Sequence, residues 1–446
     1  MQKTGDRLNV GLSSPSDGAD PTAAYVHIPF CRRRCYYCDF PVSIVGDRPP
    51  LARQTGSTAG FGAIAAYLNP LCQEIAHTPG DRPLTSVFFG GGTPSLLEPG
   101  QVQQILTALD QQFGIAAGAE ISIEIDPDTV DLAKARGYQA VGINRVSLGV
   151  QAFQLDVLQA CGRTHTPADI DRAIDSLRQS GFTNISLDLI SGLPHQTPET
   201  WEESLQRAIA LAPTHLSIYD LIVEPQTAFS RWYQPGESPL PSDQVTADLY
   251  RLAQQRLTAA GFEHYEISNY AQPGYRCQHN GVYWRNQPYY GFGMGAASYI
   301  HQQRYTRPRT RAAYFDWVKD LPNRPGPLDV PIDPIQDTFL ETVMLGLRLA
   351  EGLEFKAMAD VFGLGLVQHL WQLLTTYTDT GWIEWAPVLE SEHHSRQDKG
   401  HPPSPRVRLS DPEGFLFSNV VLSDIFQTLG DDPVETPCRE RVEPAV

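Results

Sequence analysis

Three cysteines fall close together in the run Cys31-Arg32-Arg33-Arg34-Cys35-Tyr36-Tyr37-Cys38, with the spacing C-x3-C-x2-C. A loop this short can bring three thiolates onto one small inorganic body. It cannot easily supply a fourth, because the next cysteine is Cys72. Three thiolates on a cubane iron–sulfur cluster leave one iron open to a small chelating ligand. A structural zinc ion wants four ligands, often from paired C-x2-4-C elements. Here the nearest further candidate is His27, which lies in an apolar, strand-like run. Seven cysteines in 446 residues are sparse and odd in number, which argues against a disulfide framework.

An open iron is the feature with which radical S-adenosylmethionine (SAM) enzymes chelate the amine and carboxylate of SAM, and the cysteine run resembles theirs. The start of the chain is polar and has no apolar signal segment, and no stretch approaches the ~18 apolar residues of a membrane span. The expectation is a soluble, cytoplasmic protein in which thiols stay reduced. A net charge of −17 argues against a broad nucleic-acid footprint. The two basic runs, Arg32–Arg34 and the four arginines of 304–311, are the candidates for a local basic patch, and a solvated face is the plainer reading of the second.

Positioning such a loop requires a scaffold, and the chain alternates strand-like and helix-like segments from Ala23 onward. Strands are expected at Ala23–Ile28, Ser86–Gly90, Glu120–Ile125, Ile143–Val150, Asn184–Ile190 and His215–Leu221. Helices are expected at Ala63–His77, Gly100–Phe113, Thr129–Arg136, Pro167–Ser180, Pro198–Leu211 and Asp243–Ala260. That alternation predicts a parallel α/β sheet curled into a partial (βα)6 barrel. Barrel sites gather at the C-terminal ends of strands. The cysteine loop, Gly90–Ser95, Glu124, Gln151 and Asp188 all fall there. Residues 46–60 read as an exposed loop. From about 301 to 430 the pattern becomes mainly helical, with two strand-like pieces at Trp382–Ala386 and Arg406–Leu409 around a polar loop, and predicts a smaller, winged-helix-like C-terminal domain. Residues 1–22 and 431–446 read as disordered ends around a barrel domain of 23–300.

Further motifs occur in order: Tyr25–Phe30, Gly90–Ser95, Glu124-Ile125-Asp126-Pro127, Arg145–Gln151, Gly162-Arg163-Thr164-His165 and Asp188–Pro194. Together with the cysteines they resemble the oxygen-independent coproporphyrinogen III oxidase family of radical SAM proteins, over about residues 23 to 430. Within it the chain looks most like the HemW heme chaperone group. The oxidases carry a further cysteine two residues after the third cluster cysteine, and this chain has Phe40 there. The chaperones carry a His-Asn-x-x-Tyr-Trp signature, present here as His279-Asn280-Gly281-Val282-Tyr283-Trp284. The Glu-Ile-Asp-Pro segment departs from the chaperone form Glu-Ala-Asn-Pro.

The resemblance implies that Cys31, Cys35 and Cys38 hold a [4Fe–4S] cluster and that Tyr25, Gly91, Gly92, Thr93, Glu124, Gln151, Arg163 and Asp188 surround SAM. The residue types suit this. Glycines let backbone approach a ligand, a carboxylate can take the SAM ammonium, and Arg163 can pair with the SAM carboxylate. His279, expected in a loop-like segment, would be an axial ligand to heme iron, walled by Tyr283 and Trp284, with Arg276 and Arg285 near the propionates. The function implied is a heme chaperone that hands heme to an apo-hemoprotein acceptor, such as a respiratory enzyme. A homodimer and a transient membrane contact during delivery are compatible with it. The alternative is a coproporphyrinogen oxidase, so whether the chain is an enzyme stays open at this point. Cys72, Cys161, Cys277 and Cys438 have no implied role.

Overall fold

The computed structural model describes residues 20–46, 59–323, 334–387 and 405–430. The expected disordered ends, most of the 46–60 loop and the polar loop between the last two strands lie outside these residues. Six parallel strands follow the expected order: β1 (Ala23–Ile28), β2 (Leu84–Gly91), β3 (Ile115–Ile125), β4 (Arg145–Gln151), β5 (Asn184–Ser191) and β6 (His215–Asp220). Helices α1 (Ala59–His77), α2 (Pro99–Phe113), α3 (Leu132–Ala140), α4 (Pro167–Ser180), α5 (Pro198–Ala210) and α6 (Asp243–Ala259) follow the strands in turn. Three of these helices start by one device. Glu98, Thr166 and Thr197 each precede a proline and form a reciprocal side-chain-to-backbone capping box. Proline at the first helical position costs no hydrogen bond, and the box satisfies amides the helix leaves open.

Three short strands extend the sheet beyond the six expected. β7 (Glu263–Glu266) and β8 (Asn269–Ala271) form an antiparallel hairpin beside β6, and β9 (Tyr290–Phe292) pairs parallel with β1. The order is β9-β1-β2-β3-β4-β5-β6-β8-β7. Between β8 and β9 lies α7 (Gln278–Trp284), which is the signature segment. It is helical, where a loop was expected.

The strands have two different faces. Val87 and Phe89 of β2, Ile123 of β3, Val146 and Leu148 of β4, and Leu187 and Leu189 of β5 join the apolar core under the helices. The alternate residues face the barrel interior and are unusually polar: Ser86, Ser122, Ser147, Ser186 and Ser217 are all buried. Alternation on each strand thus separates an apolar layer outside from a polar layer inside.

Residues 20–323 belong to one compact unit, which includes α8 (Arg311–Asp320). The helical pattern from about 301 onward places this stretch with the C-terminal part. It packs instead on α1, where Glu74 accepts from Tyr314 Oη at 2.6 Å, Arg307 Nε at 2.7 Å and the Gly293 amide at 2.8 Å. The second unit carries helices Ile335–Leu347, Phe355–Phe362, Leu364–Thr375 and Ser418–Leu429. The two expected strands form as Ile383–Pro387 and Pro405–Leu409, and a third, Leu353–Glu354, completes a small antiparallel sheet.

Candidate functional site

The cysteine loop leaves β1 and is closed by a short ladder. Phe30–Cys31 pairs with Ser43–Ile44, and the Val45 amide donates to the Cys31 carbonyl at 2.9 Å. Its middle is tied to distant elements, since the Tyr36 amide donates to the Cys161 carbonyl and the Phe229 amide to the Tyr36 carbonyl, each at 3.0 Å. The loop forms one side of a cavity of about 430 Å³ at the C-terminal ends of β2–β6. Cys31, Cys35, Cys38, Gly91, Gly92, Thr93, Glu124, Gln151, Arg163 and Asp188 all line it. Tyr25 is not in the lining. It sits one layer deeper, with its hydroxyl 3.0 Å from His27 Nδ1.

The glycines are required by close approach. A Cβ on Gly91, at φ +113°, would meet the His27 ring at 2.5 Å, and one on Gly92 would lie 2.6 Å from the Phe30 carbonyl and 3.0 Å from Cys31 Sγ. Burial pushes the Cys31 thiol up to about 12, and it raises Cys38 as well. Among the described residues no three metal-ligating side chains converge on one ion. A cubane needs no such convergence, because each thiolate takes a different iron.

The carboxylates opposite are unusual. Glu124 accepts from the Gly91 amide at 3.1 Å, and burial, with Asp188 nearby, pushes it up to about 8. Asp188 is also raised by burial and is held by the Ser147 hydroxyl at 2.9 and 3.0 Å. Gln151 has a left-handed φ of 66°, at a register shift between Gly149 and Gln151. There the Gly149 carbonyl accepts from Arg163 Nη2 at 2.9 Å. Arg163 also pairs with Asp126 at 3.0 Å and approaches Cys35 Sγ at 3.6 Å. Burial alone would raise Asp126, but Arg163 and His165 outweigh it and hold its carboxyl below the usual range.

Asp126 is thus a site residue that the sequence reading passed over, although it is the residue at which the chain departs from Glu-Ala-Asn-Pro. Ser147 and Tyr219 also line the cavity, and Arg32 pairs with Asp128 at its edge at 3.2 Å. The inward alternation of β4 and β6 is the signal that points to Ser147 and Tyr219.

His279 lies elsewhere. Its partner Ser86 is five residues before Gly91 on β2, roughly 16 Å away at a strand's rise per residue. The ring is 1% exposed. Nδ1 lies 2.9 Å from Ser86 Oγ, Nε2 lies 2.8 Å from Tyr283 Oη, and the ring stacks on Phe88. Burial, with Arg145 nearby, pushes His279 down to about 3, so the imidazole is neutral. In this conformation both ring nitrogens are taken up by side-chain partners inside the barrel. Arg276 pairs with Glu263 at 3.1 Å, and Arg285 packs back on its own helix, 3.5 Å from the Gly281 carbonyl.

A parallel partial barrel with three cysteines at the mouth and acids and glycines on the facing strand ends defines a radical SAM protein, and the Radical SAM superfamily model matches residues 25–208. The HemN C-terminal domain model matches residues 336–386. The chain is similar to the heme chaperone HemW of Synechocystis sp., at 46% identity over 92% of this chain and 98% of that one. It is also similar to heme chaperone HemW of Bacillus subtilis, at 35% identity over 77% and 88%. The chain belongs to the HemW heme chaperone family. Among solved structures, the radical SAM enzyme coproporphyrinogen III oxidase HemN of Escherichia coli matches with a TM-score of 0.72 at 24% identity, covering 93% of this chain and 92% of that one. That likeness gives the fold.

Proposed function

We propose that this chain binds heme and hands it to an apo-hemoprotein acceptor, with a [4Fe–4S] cluster on Cys31, Cys35 and Cys38 and SAM in the adjoining cavity. The observation that carries the reading is the intact His279–Trp284 signature, folded as its own helix away from the cysteine cavity and holding a neutral imidazole. A neutral imidazole is the form that ligates heme iron.

The cavity's chemistry suits its proposed contents. A cluster with bound SAM supplies one-electron chemistry in this class of protein. Glu124, once ionised, takes an ammonium, and Asp188 accepts from hydroxyls. Arg163 has a buried Nε with no partner, which leaves it a donor for a carboxylate beyond those Asp126 and Gly149 use. Gly91 and Gly92 leave the room that a side chain would fill. Gln151 and Thr93 offer polar groups at the rim.

His279 serves as the axial ligand in this reading after α7 swings out of the barrel. The hydrogen bonds of the ring to Ser86 and Tyr283 and those of the Gln278 and His279 amides to Glu120 must break, at roughly 0.5–1.5 kcal/mol each, which iron ligation offsets. Phe40 is exposed at the cavity wall where the oxidases carry a cysteine, and this disfavours porphyrinogen decarboxylation. No helix among the described residues is long and apolar enough to cross a membrane, and the six described cysteines are free thiols, which suits work in the cytoplasm.

The test is heme titration of purified wild-type and His279→Ala protein. We expect about one heme per wild-type chain and a lost or shifted Soret band in the variant, with cluster absorbance kept. Identical spectra and affinities would remove His279 as the ligand. Failure of both proteins to bind heme would remove the carrier reading.

A further inference from the structure

One cation is buried in the barrel between the cysteine cavity and α7. Arg145 on β4 is 2% exposed, and its Nε has no hydrogen-bond partner. Ser122, its register partner on β3, is fully buried, and its hydroxyl is likewise unpartnered. A buried guanidinium with unsatisfied donors is costly, so this position calls for a reason.

Acids lie on both sides of it. Toward the cavity are Glu124 and Asp188, both of which feel the Arg145 charge. Toward α7 is Glu120, which acts on Arg145 in turn, beside Cys277, whose thiol burial keeps neutral. Glu120 is the clasp of α7. Its carboxylate accepts from the Gln278 amide at 3.2 Å and the His279 amide at 3.1 Å, and Cys277 Sγ lies 3.6 Å away. Glu120 and Glu124 share the inner face of β3, four residues apart.

We propose that Arg145 couples the cavity to α7. Without a cationic ligand in the cavity, Arg145 stays opposite Ser122, midway between Glu124 and Glu120 on β3, and Glu120 stays on the α7 amides. When a cationic ligand is held by Glu124 and Asp188, Arg145 is repelled toward Glu120. The carboxylate then exchanges the Gln278 and His279 amides for a guanidinium that carries a full positive charge and can meet both of its oxygens at once. The N-terminus of α7 loses its cap, and the helix carrying His279 is released. The last step rests on the reading of α7 as the heme-binding element. The physical requirement for coupling is met, because the ligand acts differently on the two positions of Arg145.

The experiment is hydrogen exchange of the 277–284 segment in cluster-reconstituted protein with and without saturating SAM, alongside heme titration under the same conditions. In the wild type we expect the Gln278 and His279 amides to exchange several-fold faster with SAM. Heme should bind roughly 5- to 150-fold more tightly, the usual range of coupling between sites, and heme should tighten SAM by the same factor. Arg145→Met should bind each ligand but lose both responses, and Arg145→Lys should restore part of them. Should Arg145→Met fold poorly, Glu120→Gln decides: it keeps an oxygen for the α7 amides but gives Arg145 no charge, so α7 should stay clasped with SAM present. Unchanged exchange in SAM-loaded wild type overturns the coupling. If wild type binds no heme yet its α7 amides respond to SAM, the coupling stands and the heme reading fails.

Discussion

Tyr283 holds Nε2 of His279 at 2.8 Å from one turn further along the same short helix, so the signature carries both the proposed ligand and the group that occupies it. Removing the hydroxyl should make His279 easier to free. One net hydrogen bond of ~1 kcal/mol corresponds to roughly a fivefold effect. Tyr283→Phe should therefore bind heme about fivefold more tightly or faster in a Soret titration, the opposite of His279→Ala. Parallel loss in both variants would show that Tyr283 acts on heme directly.

Glu124 predicts a pH dependence of SAM binding. Its carboxyl is raised to about 8, chiefly by burial, so it is largely protonated near neutrality. Pairing with an ammonium requires the carboxylate. SAM affinity should therefore climb with pH toward about 8, by at most about tenfold per pH unit, and then level off. Glu124→Gln should flatten the profile. Stability has the opposite slope: the folded chain binds more protons than the unfolded one between the ordinary Glu range and about 8, so stability falls as pH rises through that window. Calorimetric titration and denaturant melts across this window measure the two effects.

The cysteines should divide cleanly. Anaerobically reconstituted wild type should carry about four irons per chain, as a cubane requires. Cys31→Ala, Cys35→Ala and Cys38→Ala should each abolish the cluster, and Cys72→Ala on α1 should not. Iron retained in all three variants, or zinc co-purifying under anaerobic conditions, would contradict the cluster assignment.

A fully loaded sample supplied with SAM and a reductant should leave coproporphyrinogen III unchanged. Phe40 takes the place of the extra oxidase cysteine and is 52% exposed beside the cavity. Product analysis by absorbance and chromatography checks this, and robust formation of protoporphyrinogen would move the chain to the oxidase side of its family.

The Glu74–Arg307 pair should be a stability determinant. Both side chains are essentially inaccessible, and the contact is 2.7 Å. Arg307→Ala strands a buried carboxylate, and breaking such pairs costs about 3–5 kcal/mol. The expected outcome is a large drop in the unfolding midpoint.

Much of the barrel was legible because its strands and helices are long enough to show their periods. The expected Ala23–Ile28, Asn184–Ile190 and Pro167–Ser180 differ from the observed elements by a residue at most. β7, β8 and β9 were not legible, because three or four residues cannot establish alternation. The seven residues of α7 are likewise too few to show a helical period. The cavity residues were readable as a group because they sit at successive strand ends. The Asp126–Arg163 pair and the Glu120 clasp were not, because partners 37 and 159 residues apart are fixed only by tertiary packing. For His279 the burial against Ser86, Phe88 and Tyr283 was not legible either, because two of those contacts come from a strand nearly two hundred residues earlier.

The pairing of β9 with β1 sets an order of events during synthesis. Tyr25 opposes Gly291, and the cysteine loop begins just past β1. A nascent chain that has reached only the end of α7 already holds Cys31, Cys35 and Cys38, but one flank of β1 is a bare strand edge. Such edges recruit other chains. Contacts that join residues this far apart also form slowly. That flank can close only once Tyr290–Phe292 has emerged from the ribosome, and α7 lies just before it in the chain. Cluster insertion before that moment would meet an open β1 edge; insertion afterwards would meet the finished cavity.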